Sequence, residues 1–88
     1  MTENTIAAEP AKSDDSDLYD LRGLSCPMPV LKTRRRLRDM RPGQPLAILT
    51  SDPLAVIDIP AFCHEDGHTL LISESLADGH RFVISRGR

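Results

Sequence analysis

The chain has 88 residues, with 13 acidic and 11 basic side chains, a net charge of −2, and aromatics reduced to Tyr19, Phe62 and Phe82. That length holds one domain whose small core must use most of its aliphatic side chains, and so few aromatics argue against a stacking surface for single-stranded nucleic acid. No apolar run approaches the roughly 20 residues that span a bilayer, and residues 1–17 have neither the basic start nor the apolar centre of a secretory signal. A cytoplasmic protein with reduced thiols is expected.

The opening segment, residues 1–17, carries five acids against one lysine and shows no periodicity. It is too polar to offset its ordering entropy by burial, so it reads as a disordered acidic tail ahead of a single domain over 18–88. The domain opens with a short strand at Leu18-Tyr19-Asp20-Leu21, ended by a turn at Gly23. A helix follows over Val30 to Met40, with Val30, Thr33, Leu37 and Met40 as its core stripe.

Cys26 falls at the expected N-cap of that helix, with Pro27 and Pro29 in the first turn, where proline removes no needed bond and stiffens the approach. The free amides of Met28 and Val30 and the positive end of the helix dipole would favour a thiolate, so the thiol pKa is expected to be lowered. The plainer reading is a small buried hydrophobe at a loop-to-helix junction, which the helix start and paired prolines argue against. The opposite helix face holds Lys32, Arg34, Arg35, Arg36, Arg38 and Arg41, six of the eleven bases, before Arg41-Pro42-Gly43 stops the helix.

Pro45 to Thr50 reads as a central strand. Ser51 or Asp52 then caps a helical segment opening at Pro53, and Pro60 imposes either a kink or a short turn at 53–57 followed by a helix from about Ile59 capped by Asp58. Gly67 ends it. Ile59, Phe62 and Cys63 share a face, making Cys63 a core residue. A hairpin closes the chain, with strands at 69–75 and 81–85, Asp78-Gly79 in the turn, and Leu70 and Ile72 on one face. These elements give an α/β fold of the α+β type: a two-layer sandwich in βαβαββ order, with a four-stranded mixed sheet and both helices on one face.

Three other arrangements find little support in the sequence. Cys63, His64 and His68 are close in sequence, but the step between the histidines crosses Gly67, so no metal site is expected, and no cofactor. Burial of Cys63 argues against a redox pair with Cys26, and no Ser-His-Asp set is evident.

The run Asp20-Leu21-Arg22-Gly23-Leu24-Ser25-Cys26-Pro27-Met28-Pro29-Val30-Leu31-Lys32 closely resembles the signature of the TusA (SirA-like) sulfur-carrier family, whose hallmark is Cys-Pro-x-Pro at a helix start. The likeness continues through Met40-Arg41-Pro42-Gly43, Asp52-Pro53 and Asp58-Ile59-Pro60-Ala61-Phe62-Cys63, covering roughly residues 18–87. It implies the same βαβαββ fold and a cysteine, here Cys26, that carries sulfur as a persulfide. Relatives take that sulfur from a cysteine desulfurase or rhodanese and pass it to acceptor proteins in tRNA thiolation, molybdenum-cofactor synthesis or sulfur oxidation.

On this reading Gly23, Pro27, Met28, Pro29 and Val30 shape the site around Cys26, and Lys32, Arg34, Arg35, Arg38 and Asp52 face partners. Charges beside a reactive thiol speed encounter with acidic protein surfaces. The same helix could instead be a solvated face, or bind nucleic acid directly, which the acidic tail, the pI near 5.8 and the scarce aromatics oppose. The alternative function is a non-catalytic interaction or redox-regulatory module using that basic helix.

Overall fold

A computed structural model describes residues 17–88, so the expected acidic tail lies outside the described residues except for Asp17, which opens the first strand. The elements are β1 (Asp17–Asp20), α1 (Met28–Arg38), β2 (Pro45–Thr50), α2 (Ala55–Asp66), β3 (Thr69–Leu76) and β4 (Gly79–Ser85). The strands form one mixed sheet in the order β1-β2-β4-β3, with β1 parallel to β2 and the other pairs antiparallel. This is the expected α+β fold in βαβαββ order.

The register explains where the core sits. Leu46 lies opposite Ile84 and Ile48 opposite Phe82, and a side-chain period of two puts all four on one sheet face. Leu37, Met40, Ile59, Phe62 and Cys63 join them in a single buried cluster, so α1, α2 and this face share one core. Each large aliphatic or Phe buried there contributes on the order of 2 kcal/mol. The other face is partly open: Ala47 and Val83 are buried, but their neighbours Leu18 and Ile72 are 60% and 40% exposed.

Four expectations need correction. α1 begins at Met28 and ends at Arg38, with Asp39 as C-cap, rather than running from Val30 to Met40. Met40 is still buried, carried into the core by a turn in which its amide donates to the Leu37 carbonyl. α2 does not start near Ile59; it runs unbroken from Ala55 with Pro60 inside it. Proline there withholds one bond from the Val56 carbonyl, at an exposed position, while Ala55, Ile59, Phe62 and Cys63 anchor the buried face.

In the hairpin, an irregularity at Leu71 sets Leu70 opposite Ile84 but Ile72 opposite Val83, so the two fall on opposite faces. The turn itself is Ala77-Asp78, since Gly79 already pairs with Leu76 as the first residue of β4. Glycine is needed at 79 for space: a Cβ there would stand 2.1 Å from the Thr50 carbonyl oxygen.

Candidate functional site

The thiol loop grows out of β1. The Leu21 amide donates to the Leu49 carbonyl, extending the parallel pairing, and Leu21 is buried. Gly23 then turns the chain at φ +90°, a left-handed conformation that a side chain would strain. Its amide donates to Ser51 Oγ at 2.8 Å. Arg22 makes a two-pronged pair with Asp20 (2.8 and 2.7 Å), which holds that carboxyl at about 2.

Cys26 is exposed, whereas Cys63 is buried and its thiol is pushed up to about 11 by burial and the charge of Asp66. The local backbone differs from the sequence expectation. Pro27, joined to Cys26 by a cis peptide bond, occupies the N-cap, so Cys26 stands one residue outside the helix. The Met28 amide is not free to face a thiolate; it donates to the Ser25 carbonyl at 2.8 Å. Pro29 is buried and Val30 packs against the core, so these two anchor the helix start.

The β2–α2 segment supplies the rest. Asp52 Oδ2 accepts the Cys26 amide, and Asp52 Oδ1 accepts the Leu54 amide at 3.0 Å, so one carboxylate ties the thiol loop to the approach of α2. These two bonds lower the Asp52 pKa. Asp58, in the first turn of α2, accepts the Cys26 thiol proton at Oδ2, 2.9 Å from Sγ. That hydrogen bond raises the Cys26 pKa above its ordinary value, and desolvation and the charges of Asp58 and Asp52 act in the same direction. The expected lowering is therefore overturned: two carboxylates at the thiol outweigh the pull of a helix start whose nearest amide is already bonded.

Asp58 is the site residue that the sequence reading missed as such, having taken it for a cap. Its signal was its distance from Asp52-Pro53. Once α2 is allowed to start at Ala55, Asp58 falls in the first helical turn, beside the loop that holds Cys26.

The basic face of α1 is not uniform. Arg34 Nε pairs with Asp66 at 3.1 Å and its guanidinium lies over Phe62, while Arg36 lies 4.0 Å from the Tyr19 ring centroid. Lys32, Arg35 and Arg38 remain exposed. Arg34 and Arg38 line both of two adjoining surface clefts, one of about 200 Å³ with Asp66, His68, Arg86 and Arg88, the other of about 250 Å³ with Leu31 and Arg35. His68 Nδ1 accepts the Gly87 amide at 2.8 Å, and among the described residues Cys63, His64 and His68 are not gathered into a metal-donor set.

Fold and site together define a small α+β thiol protein whose one exposed cysteine sits at the entrance to a helix. The family model described as sulfurtransferase TusA matches residues 18–86, and the chain belongs to that family. Membership brings a sulfur-carrier role in sulfur relay, with a donor and an acceptor on either side. Among the described residues no helix is long and apolar enough to cross a membrane.

Proposed function

We propose that Cys26 accepts sulfane sulfur as a persulfide from a protein donor of the cysteine desulfurase or rhodanese class and relays it to acceptor proteins, in tRNA thiolation, molybdenum-cofactor synthesis or sulfur oxidation. The observation that carries this reading is the exposure of Cys26 at the Cys-Pro-x-Pro turn, against the burial of Cys63. A persulfide forms when a thiolate attacks the outer sulfur of the donor persulfide, and it is discharged when an acceptor thiolate attacks the outer sulfur in turn. Both events need a sulfur that partners can reach. The relay is placed in the cytoplasm, where thiols stay reduced.

Exposed apolar side chains stand on the segments that carry the thiol and its carboxylates: Met28 and Leu31 on α1, Leu54 and Ile57 at the start of α2. With Lys32, Arg35 and Arg38 beyond them, this surface suits a protein partner that meets apolar contact near the sulfur and acidic groups farther along α1. Arg34 lends less free charge because Asp66 already pairs with it. Asp52 acts from inside the site, by positioning Cys26.

Intact mass after incubation with a cysteine desulfurase and cysteine tests the reading. The wild-type chain and Cys63→Ala should each gain a sulfur atom, and Cys26→Ser should gain none. Uptake by Cys26→Ser would refute the assignment. A wild-type chain that takes up no sulfur from either donor class would favour the interaction module built on the basic helix.

A further inference from the structure

The polar groups at Cys26 have unequal work. Asp52 uses one oxygen for the Cys26 amide and the other for the Leu54 amide, so both are committed to holding the backbone. The thiol proton is aimed elsewhere, at Asp58 Oδ2, 2.9 Å away. Asp58 stands on a firm base: its amide donates to the Leu54 carbonyl at 2.9 Å, and the next residue, Ile59, is fully buried in the core. A carboxylate fixed in hydrogen-bond contact with a nucleophile's proton has the geometry of a general base.

The electrostatics give such a group a task. With two carboxylates beside it, the thiol is held in its protonated form at rest. A protonated thiol does not attack a persulfide, so the proton must leave as the sulfur reacts.

We propose that Asp58 is a catalytic residue of this sulfur transfer, taking the Cys26 proton during loading and returning it during discharge. The proposal rests on the carrier reading above. In loading, Cys26 Sγ forms a bond to the outer sulfur of a protonated donor persulfide as the thiol proton passes to Asp58. The donor's S–S bond breaks, and its electron pair departs on the donor thiolate. One disulfide-type bond is made and one broken, the sulfane sulfur keeps its oxidation state, and the negative charge moves from Asp58 to the donor sulfur. The protonated carboxyl then gives its proton to that thiolate or to water. Discharge is the reverse: an acceptor thiolate attacks the outer sulfur on Cys26, and a protonated Asp58 delivers the proton to Sγ as the bond to it breaks. The carboxylates thus serve a carrier in two ways, keeping the empty thiol from indiscriminate reaction and supplying the proton movement that transfer needs.

Two rates measured on the full chain test this. One is single-turnover loading from a saturating, sulfur-charged cysteine desulfurase, read by intact mass; the other is alkylation of the empty protein by iodoacetamide, each across pH 6–9. Asp58→Asn should alkylate several-fold faster near neutral pH, because the carboxylate that restrains the thiol is gone, yet load at least tenfold more slowly, because nothing takes the proton. Asp58→Glu should recover part of the loading rate. Loading that accelerates in step with alkylation, or that is unchanged in Asp58→Asn, would overturn the proposal and leave Asp58 as a mere restraint on the thiol. A wild-type chain that fails to load at all would instead strike the carrier reading itself. Should Asp58→Asn fail to fold, Asp58→Glu decides: a partly recovered loading rate with a shifted pH profile supports the proton role, and an unshifted profile refutes it.

Discussion

Substituting Gly79 by alanine should strain the hairpin against the end of β2 that leads into the thiol site. The added Cβ would lie 2.1 Å from the Thr50 carbonyl oxygen, 3.1 Å from its carbon and 3.3 Å from Ser51 Cα, all backbone atoms. The first contact is more than an ångström inside an ordinary separation of about 3.5 Å, and no side chain can rotate to relieve it. β4 must therefore part from β2 where Thr50 pairs with His80. Overpacking against backbone costs roughly 2–3 kcal/mol, which for a domain of this size lowers Tm by about 10–20 °C. Thr50 leads directly into Ser51 and Asp52, the residues that hold the amides of Gly23 and Cys26, so the displacement reaches the thiol loop as well.

Urea unfolding gives the measurement, with the midpoint falling at unchanged slope. Gly43→Ala is the matched control: φ is +84° and nothing lies within 4 Å of the added atom, so its cost of about 1 kcal/mol is purely conformational. A Gly79→Ala protein within about 0.5 kcal/mol of wild type would refute the steric reasoning.

Cys63→Ala should load sulfur at the wild-type rate and lose about 1 kcal/mol of stability by urea unfolding, as for a small core truncation; lost loading in a folded protein would give Cys63 a role in transfer. His68 should impose a pH dependence, since burial, with the charge of Arg86, lowers its pKa below the ordinary value against the opposing charge of Asp66, and its Nδ1 must stay unprotonated to accept the Gly87 amide. The unfolded chain then binds that proton more readily, so this contribution to stability is complete above about pH 6.5 and is lost as the pH falls below it. His68→Gln should flatten that slope, and an unchanged slope would show that His68 does not set it. Arg35→Glu combined with Arg38→Glu should slow loading from a protein donor about tenfold at low salt and little at high salt, while leaving iodoacetamide alkylation near wild type; equal loading at low salt would return these arginines to a solvated face.

What the sequence disclosed follows from the range of each signal. The apolar run Pro45 to Thr50 and the stripe Val30-Thr33-Leu37-Met40 are local patterns that burial enforces: Leu46, Ala47, Ile48, Thr50, Thr33, Leu37 and Met40 are buried, and Val30 packs against the core. The helix boundaries were less legible. Pro27 is expected inside the first turn but fills the cap, and Pro60 is expected to kink the helix or to delay its start to about Ile59, whereas four buried anchors carry the helix through it from Ala55. The pKa of Cys26 was expected in the wrong direction for a different reason. The helix-start amides are next to Cys26 in sequence, whereas Asp52 and Asp58 lie 26 and 32 positions away and arrive only when β2 pairs with β1. The bulge at Leu71 likewise depends on the partner strand, and no alternation within 69–75 announces it.

The attachment of the thiol loop has a consequence for motion. Leu21 and Pro29 are buried at its two ends, while Ser25, Cys26, Pro27 and Met28 between them are exposed. In between, the loop is fastened to the β2–α2 segment by three removable bonds: the Gly23 amide to Ser51, the Cys26 amide to Asp52 and the Cys26 thiol to Asp58. Releasing them breaks no contact of Leu21 or Pro29 at the loop's ends, and Leu24 is the loop side chain that packs against the core. The sulfur can therefore swing toward a partner while the domain stays folded, and the amides of Gly23 and Cys26 should exchange with solvent at a free energy well below that of global unfolding. Mobility of the thiol and durability of the domain that holds it are stored in different bonds, so a substitution can alter one without weakening the other.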